Sequence, residues 1–260
     1  MRSTSRAAGG DHALRWRMTA TAKRSAAGAL GTLLQAAGAD RTADTARRSC
    51  LVVAPHPDDE TLGCAATIMR KIDSGAGVSL VVVSGGGGWP PERSSAENVT
   101  VRAAELAAAC EVLGLPHDEV TSLDLPDGHL AESEEGIADA LADALRAGCY
   151  EELLVTSPTD PHSDHAAVGR AAASVVAGTG TRLLTYPIWQ WERPRPWLRL
   201  ALASSRPQLI STSGYVDRKL ATIACYPSQL ADMSDVNFGL SPAFLARFTG
   251  KHEIFFPHRT

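Results

Sequence analysis

The chain alternates short apolar runs with longer segments whose apolar residues recur at helical spacing. Buried strands are predicted for residues 51–54, 78–83, 120–123, 153–156, 183–186 and 253–256. Helices are predicted for residues 25–38, 61–72, 101–113, 137–145, 166–176 and 219–225. Strands that alternate with helices of this length form βαβ units, so the pattern predicts an α/β fold with a parallel sheet.

This alternation stops after Pro187. Trp189, Trp191 and Trp197 lie close together in the sequence that follows, among several prolines. Their spacing predicts an irregular insertion or lid rather than another βα unit. Trp189 and Trp191 are two residues apart, so they could share one face and stack on the ring of a ligand, or they could equally pack against the edge of the sheet.

Charge is distributed unevenly along the chain. The first 50 residues carry nine Lys/Arg against three Asp, which leaves 16 Lys/Arg against 26 Asp/Glu in the remainder. We therefore predict a basic N-terminal extension at residues 1–49, with one short helix, and an acidic domain at residues 50–260. The extension lacks the apolar core of a secretory signal, and no apolar run approaches the length of a membrane span.

Composition excludes some classes of function. A net charge of −4 and an aromatic content of 5% argue against a nucleic-acid-binding protein. The chain has five cysteines and no CxxC pair. This usage is typical of reduced, mostly buried thiols, and it predicts a cytoplasmic protein without a disulfide framework or zinc finger.

Two polar clusters follow two of the predicted strands. The run PHPDDE at residues 55–60 comes directly after the strand at 51–54, and the run HSDH at residues 162–165 follows the strand at 153–156. Ligands of open α/β sheets bind beyond the carboxyl ends of the strands. Two histidines and one carboxylate from these runs would form a metal site that leaves positions free for water and substrate.

A simpler interpretation exists for each run taken alone. Asp58 or Asp59 could cap the helix that starts near Thr61, as aspartates often do. Two such clusters at matching places in two βα units favour the metal site. Elsewhere in the chain, Lys219 and Glu253 are expected to form a structural ion pair.

The two runs in this order resemble the PIG-L/LmbE-like de-N-acetylase family, over about residues 50–260. Further features that look like those of the family are Arg102-x-x-Glu105-Leu106, Leu125-Pro126-Asp127-Gly128, Tyr186-Pro187-Ile188-Trp189-Gln190-Trp191 and Ser228-Gln229. The resemblance implies a Rossmann-like three-layer fold with a mostly parallel sheet. It also implies a divalent metal, usually Zn²⁺ and alternatively Fe²⁺, held by His56, Asp59 and His165.

The same resemblance implies the roles of the neighbouring side chains. Asp58 would be the general base for a metal-bound water that attacks the amide. A protonated His162 would stabilise the oxyanion, with Asp164 orienting that histidine. Arg102 and Asp127 match positions that contact the sugar part of substrates, and Trp189 and Trp191 are further candidates for substrate binding.

The sequence departs from the family pattern at two places. Ser163 stands where many relatives have proline. Asp160 stands where some relatives carry a tyrosine that acts on the oxyanion, and Tyr226 is only a weak replacement. The glycine run at residues 85–88 lacks the ending of a phosphate-binding loop and is interpreted as a loop at the rim of the site.

These observations predict a metal-dependent hydrolase that removes an acetyl or other acyl group from the amine of an amino sugar or glycosylated metabolite. The expected partner is therefore an N-acylated small molecule, not a nucleic acid or a membrane. One alternative is an amidase that acts on a thiol conjugate or non-sugar amide. Another is a catalytically silent carbohydrate-binding module on the same fold.

Overall fold

The computed structural model describes residues 28–192, 206–230 and 240–258, and these residues fold around one mixed sheet. The strands are β1 (Ala39–Asp40), β2 (Cys50–Ala54), β3 (Val78–Ser84), β4 (Val120–Leu125), β5 (Glu152–Thr156), β6 (Arg182–Tyr186), β7 (Gln208–Ser211) and β8 (His252–Pro257). The α-helices are α1 (residues 28–37), α2 (Thr42–Thr45), α3 (Asp59–Asp73), α4 (Ser95–Leu113), α5 (Glu134–Ala147), α6 (Ser163–Val175), α7 (Val216–Ile223) and α8 (Pro242–Leu245). Short 3₁₀ turns lie at His117–Glu119, Leu130–Ser133 and Trp189–Glu192.

The sheet has eight strands in the order β1-β7-β8-β6-β5-β2-β3-β4. Only β8 runs antiparallel, and it pairs with β6 on one side and β7 on the other. The remaining pairs are parallel. The α/β fold with a mostly parallel sheet is therefore confirmed.

The central strands point successive apolar side chains to opposite faces of the sheet, and helices cover both faces. Val52 of β2 faces a core that includes residues of α1, α3, α4 and α7, whereas Val53 faces a core formed with α5 and α6. Strands buried on both faces read as continuous apolar runs, as 51–54 does. The molecule thus has three layers.

Several elements differ from the sequence-based expectation. Residues 28–49, predicted as an extension, contribute β1 to the sheet, and Leu30 and Leu34 of α1 belong to the main core. Residues 1–27 lie outside the described residues, as does Trp197. Helix α4 starts at Ser95, earlier than predicted, because Ser94 and Glu97 form a capping box.

Two buried features fix α3, the helix that carries part of the site. A Cβ on Gly63 would lie 2.3 Å from the ring of Tyr186, so only glycine permits this contact. The predicted ion pair is confirmed, with Lys219 Nζ 2.6 Å from Glu253 Oε1. Glu253 also accepts hydrogen bonds from the backbone N–H groups of Ala66 and Thr67, both at 2.8 Å.

No helix in these described ranges is long and apolar enough to cross a lipid bilayer. The five cysteines are free thiols, and Cys50, Cys64 and Cys110 are buried.

Candidate active site

The first polar loop joins the carboxyl end of β2 to the start of α3. The Asp59 carboxylate accepts a hydrogen bond from the backbone N–H of His56 at 3.1 Å, which closes the loop over itself. The backbone N–H of Ser84 donates to Pro55 O at 2.9 Å, so the loop is also tied to the end of β3. The two prolines keep the segment out of the helix until Asp59.

Asp58 has an unusual backbone conformation within this loop. Its φ is +116°, in a region that L side chains rarely adopt. Its N–H donates to Glu60 Oε2 at 3.0 Å, and Glu60 Oε1 accepts from Tyr226 Oη at 2.6 Å. Glu60 is completely buried, and its hydrogen bonds link the strained loop to Tyr226 in the interior. Strained residues of this kind cluster at functional sites.

Tyr226 was a weak candidate for the missing oxyanion donor. That prediction is wrong in this structure, because its hydroxyl is bonded to Glu60 and the residue is 1% exposed.

The second polar loop joins β5 to α6. His162 is the N-cap of α6, and its Nδ1 accepts a hydrogen bond from the backbone N–H of Asp164 at 3.3 Å. Nδ1 therefore carries no proton, and a neutral imidazole places its proton on Nε2. Burial, followed by the nearby His56, lowers the pKa of His162. Nε2 is thus the ring nitrogen left to donate a hydrogen bond, and the protonated form of His162 stays a prediction.

The structure brings His56, Asp59 and His165 together. His56 Nδ1 lies 3.3 Å from His165 Nε2 and 3.4 Å from Asp59 Oδ2. The third side of the triangle, from His165 Nε2 to Asp59 Oδ2, is 3.2 Å. Ligand atoms around tetrahedral zinc, with bonds of ~2.0–2.1 Å, are spaced about 3.3 Å apart. The three atoms therefore have the spacing that a zinc ion requires.

Two of the three groups, His165 and Asp59, also have the charge that a metal ligand needs. Burial lowers the pKa of His165 to about 3, so its imidazole is neutral, as a metal ligand must be. Burial would raise the pKa of Asp59, but its hydrogen bonds with His56 and the positive charge of that ring outweigh burial and lower the pKa, which keeps the carboxylate ionised.

The far nitrogen of His56 is held by two carboxylates. Nε2 lies 3.0 Å from Asp127 Oδ1 and 3.2 Å from Asp164 Oδ2. Burial would lower the pKa of His56, but the hydrogen bonds to Asp127 and Asp164 raise it well above its usual value. A carboxylate on the second nitrogen fixes the ring and tautomer of a metal-binding histidine.

This geometry corrects the expected role of Asp164. Its carboxylate contacts His56 and accepts N–H groups from Gly128 and Leu130, at 2.7 and 3.2 Å, while only its backbone N–H contacts His162. Asp127 was expected to contact the sugar part of the substrate. It does line the cavity, but its carboxylate also contacts His56.

Asp58 faces Arg102 across the floor of the cavity. Asp58 Oδ2 lies 3.1 Å from Arg102 Nη2, and the same guanidinium donates to Pro57 O. Burial raises the pKa of Asp58 to about 8 even though Arg102 acts to lower it. Arg102, predicted to contact the sugar, lines the cavity and also holds Asp58; its Nε is buried and has no hydrogen-bond partner among the described residues.

A cavity of 540 Å³ opens above these residues. It is lined by His56, Asp58, Asp59, Leu62, Gly88, Trp89, Arg102, Asp127, Pro161, His162, His165, Ile188, Trp189, Glu192, Gln229 and Leu240. Trp189 belongs to its wall and stacks on Phe244, with ring centroids 4.9 Å apart. Trp191, the other predicted substrate contact, is 5% exposed and lies in the main core, so packing against the sheet is the correct alternative.

Two contributions were not predicted from the sequence. The Asp160 carboxylate accepts backbone N–H groups from His162 at 3.0 Å and Trp189 at 3.2 Å, and so joins two walls of the cavity. Trp89 enters the cavity wall directly after the glycine run. Its position just beyond the carboxyl end of β3 is a signal that could have identified it.

Comparison with known proteins agrees with this geometry. The family described as "PIG-L: GlcNAc-PI de-N-acetylase" matches residues 51–176. The uncharacterized deacetylase YaiS of Escherichia coli K12 is 26% identical over 189 residues, which cover 70% of this chain and 92% of YaiS. A probable N-acetyl-alpha-D-glucosaminyl L-malate deacetylase 2 of Bacillus anthracis is 26% identical over 204 residues, or 71% of this chain and 82% of that protein.

The fold also matches a solved structure, that of N,N'-diacetylchitobiose deacetylase from Pyrococcus horikoshii. The TM-score is 0.63 at 21% identity, and the match covers 81% of this chain and 83% of that one. The matched family segment contains the two polar loops and the triangle that they form. Over residues 51–176, the chain belongs to the PIG-L/LmbE-like de-N-acetylase family.

Proposed function

We propose that this protein is a metal-dependent hydrolase that removes an acetyl or other acyl group from the amine of an N-acylated sugar or sugar-bearing metabolite. The observation that carries the proposal is the triangle of His56, Asp59 and His165 at the floor of an open cavity, with the Asp58 carboxylate beside it. Two relatives support a sugar substrate by their names. The Bacillus anthracis protein is named as a probable deacetylase of an N-acetylglucosaminyl compound, and the Pyrococcus horikoshii protein as a deacetylase of diacetylchitobiose.

The three ligand atoms would hold Zn²⁺ or Fe²⁺. When bound, such an ion supplies a Lewis acid that polarises the acyl carbonyl and lowers the pKa of water. Asp127 and Asp164 would keep His56 turned towards the ion through its Nε2.

Asp58 is the general base of the proposed reaction in its ionised form, which a bound cation would favour over the neutral form that burial favours in the metal-free protein. Its carboxylate lines the cavity next to Asp59 without being part of the triangle. It takes a proton from the attacking water as the new C–O bond forms, and it returns that proton to the nitrogen as the C–N bond breaks. The products are a carboxylic acid and the free amine, so the atoms balance.

His162 stabilises the negative charge that develops on the carbonyl oxygen. Its Nε2–H is the available donor because Nδ1 is bonded to the backbone. Removing one donor of this kind typically costs ~2.7–4 kcal/mol of transition-state stabilisation.

The test combines metal analysis with an assay for released acetate. The probes are N-acetylglucosamine, N,N'-diacetylchitobiose and a non-sugar acetamide, with the protein loaded with zinc or ferrous iron. We expect release of acetate from at least one sugar and about one bound metal ion per chain in an active preparation. His165→Ala should lose both the acetate release and the bound metal. Glu132→Gln, an exposed change outside the cavity, is the control.

Other outcomes would refute parts of the proposal. Release of acetate only from the non-sugar amide would exclude the sugar substrate. Binding of sugars without any hydrolysis by the metal-loaded protein would favour a silent binding module instead.

A further inference from the structure

A buried carboxylate next to the cavity has no part in the proposed reaction. Glu105 of α4 is 7% exposed. Within the described parts of the chain, no Lys, Arg or His lies within ion-pair distance of it. Both of its oxygens accept from one residue: Oε1 from the backbone N–H of Ser228 and Oε2 from the Ser228 hydroxyl, each at 2.7 Å. A charge is costly to bury, so its contacts are informative.

These contacts fix the direction of the next hydrogen bond. An ionised carboxylate can only accept hydrogen bonds, so the Ser228 hydroxyl donates its one hydrogen to Glu105. The Ser228 oxygen can then only accept from the neighbouring Gln229, whose Nε2 lies 2.9 Å away. The amide of Gln229 is thereby held with its NH₂ end on Ser228 and its carbonyl Oε1 at the other end.

Gln229 is held in the cavity wall by its backbone as well. It lines the cavity and is 7% exposed. Its N–H donates to Tyr226 O at 3.0 Å, and its C=O accepts from the N–H of Leu240, another lining residue, at 3.1 Å. Tyr226 in turn is bonded to Glu60 beneath the Asp58 loop. The glutamine is therefore connected both to α4 and to the loop that carries the reaction.

We infer that Gln229 contacts the substrate directly, and that its fixed amide oxygen accepts a hydrogen bond from a hydroxyl or N–H group of an N-acylated polyol. Glu105 and Ser228 are positioning residues, because they determine which end of the amide is presented. This inference rests on the proposed function and narrows its substrate class. An acceptor built into the wall discriminates against a substrate that lacks the matching donor, since the acceptor is then left unpaired.

The test compares N-acetylglucosamine with its monodeoxy and deoxyfluoro analogues, one pair for each ring hydroxyl. A fluorine keeps the size of the hydroxyl but cannot donate a hydrogen bond. For the metal-loaded wild type, we expect kcat/KM to fall about tenfold when one particular hydroxyl is replaced. In Gln229→Ala that preference should disappear, and in Glu105→Gln it should weaken. Gln208→Ala, a buried glutamine of β7 outside the cavity, should keep the wild-type preference.

The outcomes separate this inference from the function on which it rests. If wild type hydrolyses the parent sugar and Gln229→Ala keeps the same preference across the whole analogue set, Gln229 does not contact the substrate and the inference is wrong. A uniform loss of activity in Gln229→Ala with unchanged preference would give it a merely structural role, and this also refutes the inference. If wild type hydrolyses no N-acetylated sugar, the proposed function fails and the inference fails with it.

Discussion

Replacing Asp58 by alanine and, separately, by glycine distinguishes the chemistry of its carboxylate from the strain in its backbone. Both variants remove the carboxylate and leave Arg102 without that partner. They differ only in how they tolerate a φ of +116°. We expect both to retain metal, because Asp58 lies outside the ligand triangle, and both to lose turnover.

The stability of the two variants should differ measurably. A non-glycine residue in a sparsely populated backbone region costs ~1–3 kcal/mol. Glycine avoids this cost but loses ~0.4–1 kcal/mol through the greater freedom of its unfolded chain. Asp58→Gly should therefore be more stable than Asp58→Ala by roughly 1–2 kcal/mol. For a chain of this size that difference corresponds to a rise in Tm of about 2–8 °C.

The assay is differential scanning calorimetry of the two metal-free variants, followed by metal analysis and acetate release after loading. Alanine as stable as glycine would refute the argument from backbone strain. Loss of the metal in either variant would mean that Asp58 is a ligand and that the roles of Asp58 and Asp59 are reversed.

Four further results are expected. Chelation of the metal should abolish activity and lower Tm, and a zinc concentration of 100 times its Kd should restore ~2.7 kcal/mol; an unchanged Tm would argue against a bound ion. Asp164→Asn should weaken zinc binding ~10–100-fold in competition with a chromophoric chelator, because it perturbs the support of His56; unchanged affinity would contradict that support. Gly63→Ala should lower the free energy of unfolding in urea by ~1–3 kcal/mol, since its methyl group meets a buried aromatic ring; wild-type stability would show that the ring moves freely. Lys219→Met should cost ~3–5 kcal/mol by leaving Glu253 buried without its partner, and part of this cost should be recovered when Glu253 is also replaced by glutamine, which removes the unpaired charge and keeps an oxygen for the N–H groups of Ala66 and Thr67.

The central strands and the helices between them could be predicted because their burial on both faces appears directly in the sequence. The weaker elements could not. β1 has only two residues, and β7 reads Gln-Leu-Ile-Ser, too short and too polar at its ends to stand out. The early start of α4 was predictable in principle, since Ser94 and Glu97 are a capping-box pair in the sequence.

The site was predictable in its location and less so in its internal contacts. The two runs that follow β2 and β5 are neighbours because those strands pair in the sheet. The partner of the Asp164 carboxylate depends on how the histidine rings are turned, which no sequence pattern encodes. The contacts of Glu60 with Tyr226 and of Glu105 with Ser228 join residues more than a hundred positions apart, so sequence reasoning had no signal for them.

The position of β8 has a consequence for how the protein is made. β1 and β7 join the remaining strands only through β8, which is the last strand in the sequence order. While the ribosome is still adding residues before 252, this side of the sheet has no strand to complete it, and the edge of β6 stays open to other chains. Until β8 has been synthesised and has paired with β6, this open edge is a place where other chains can pair and begin to aggregate.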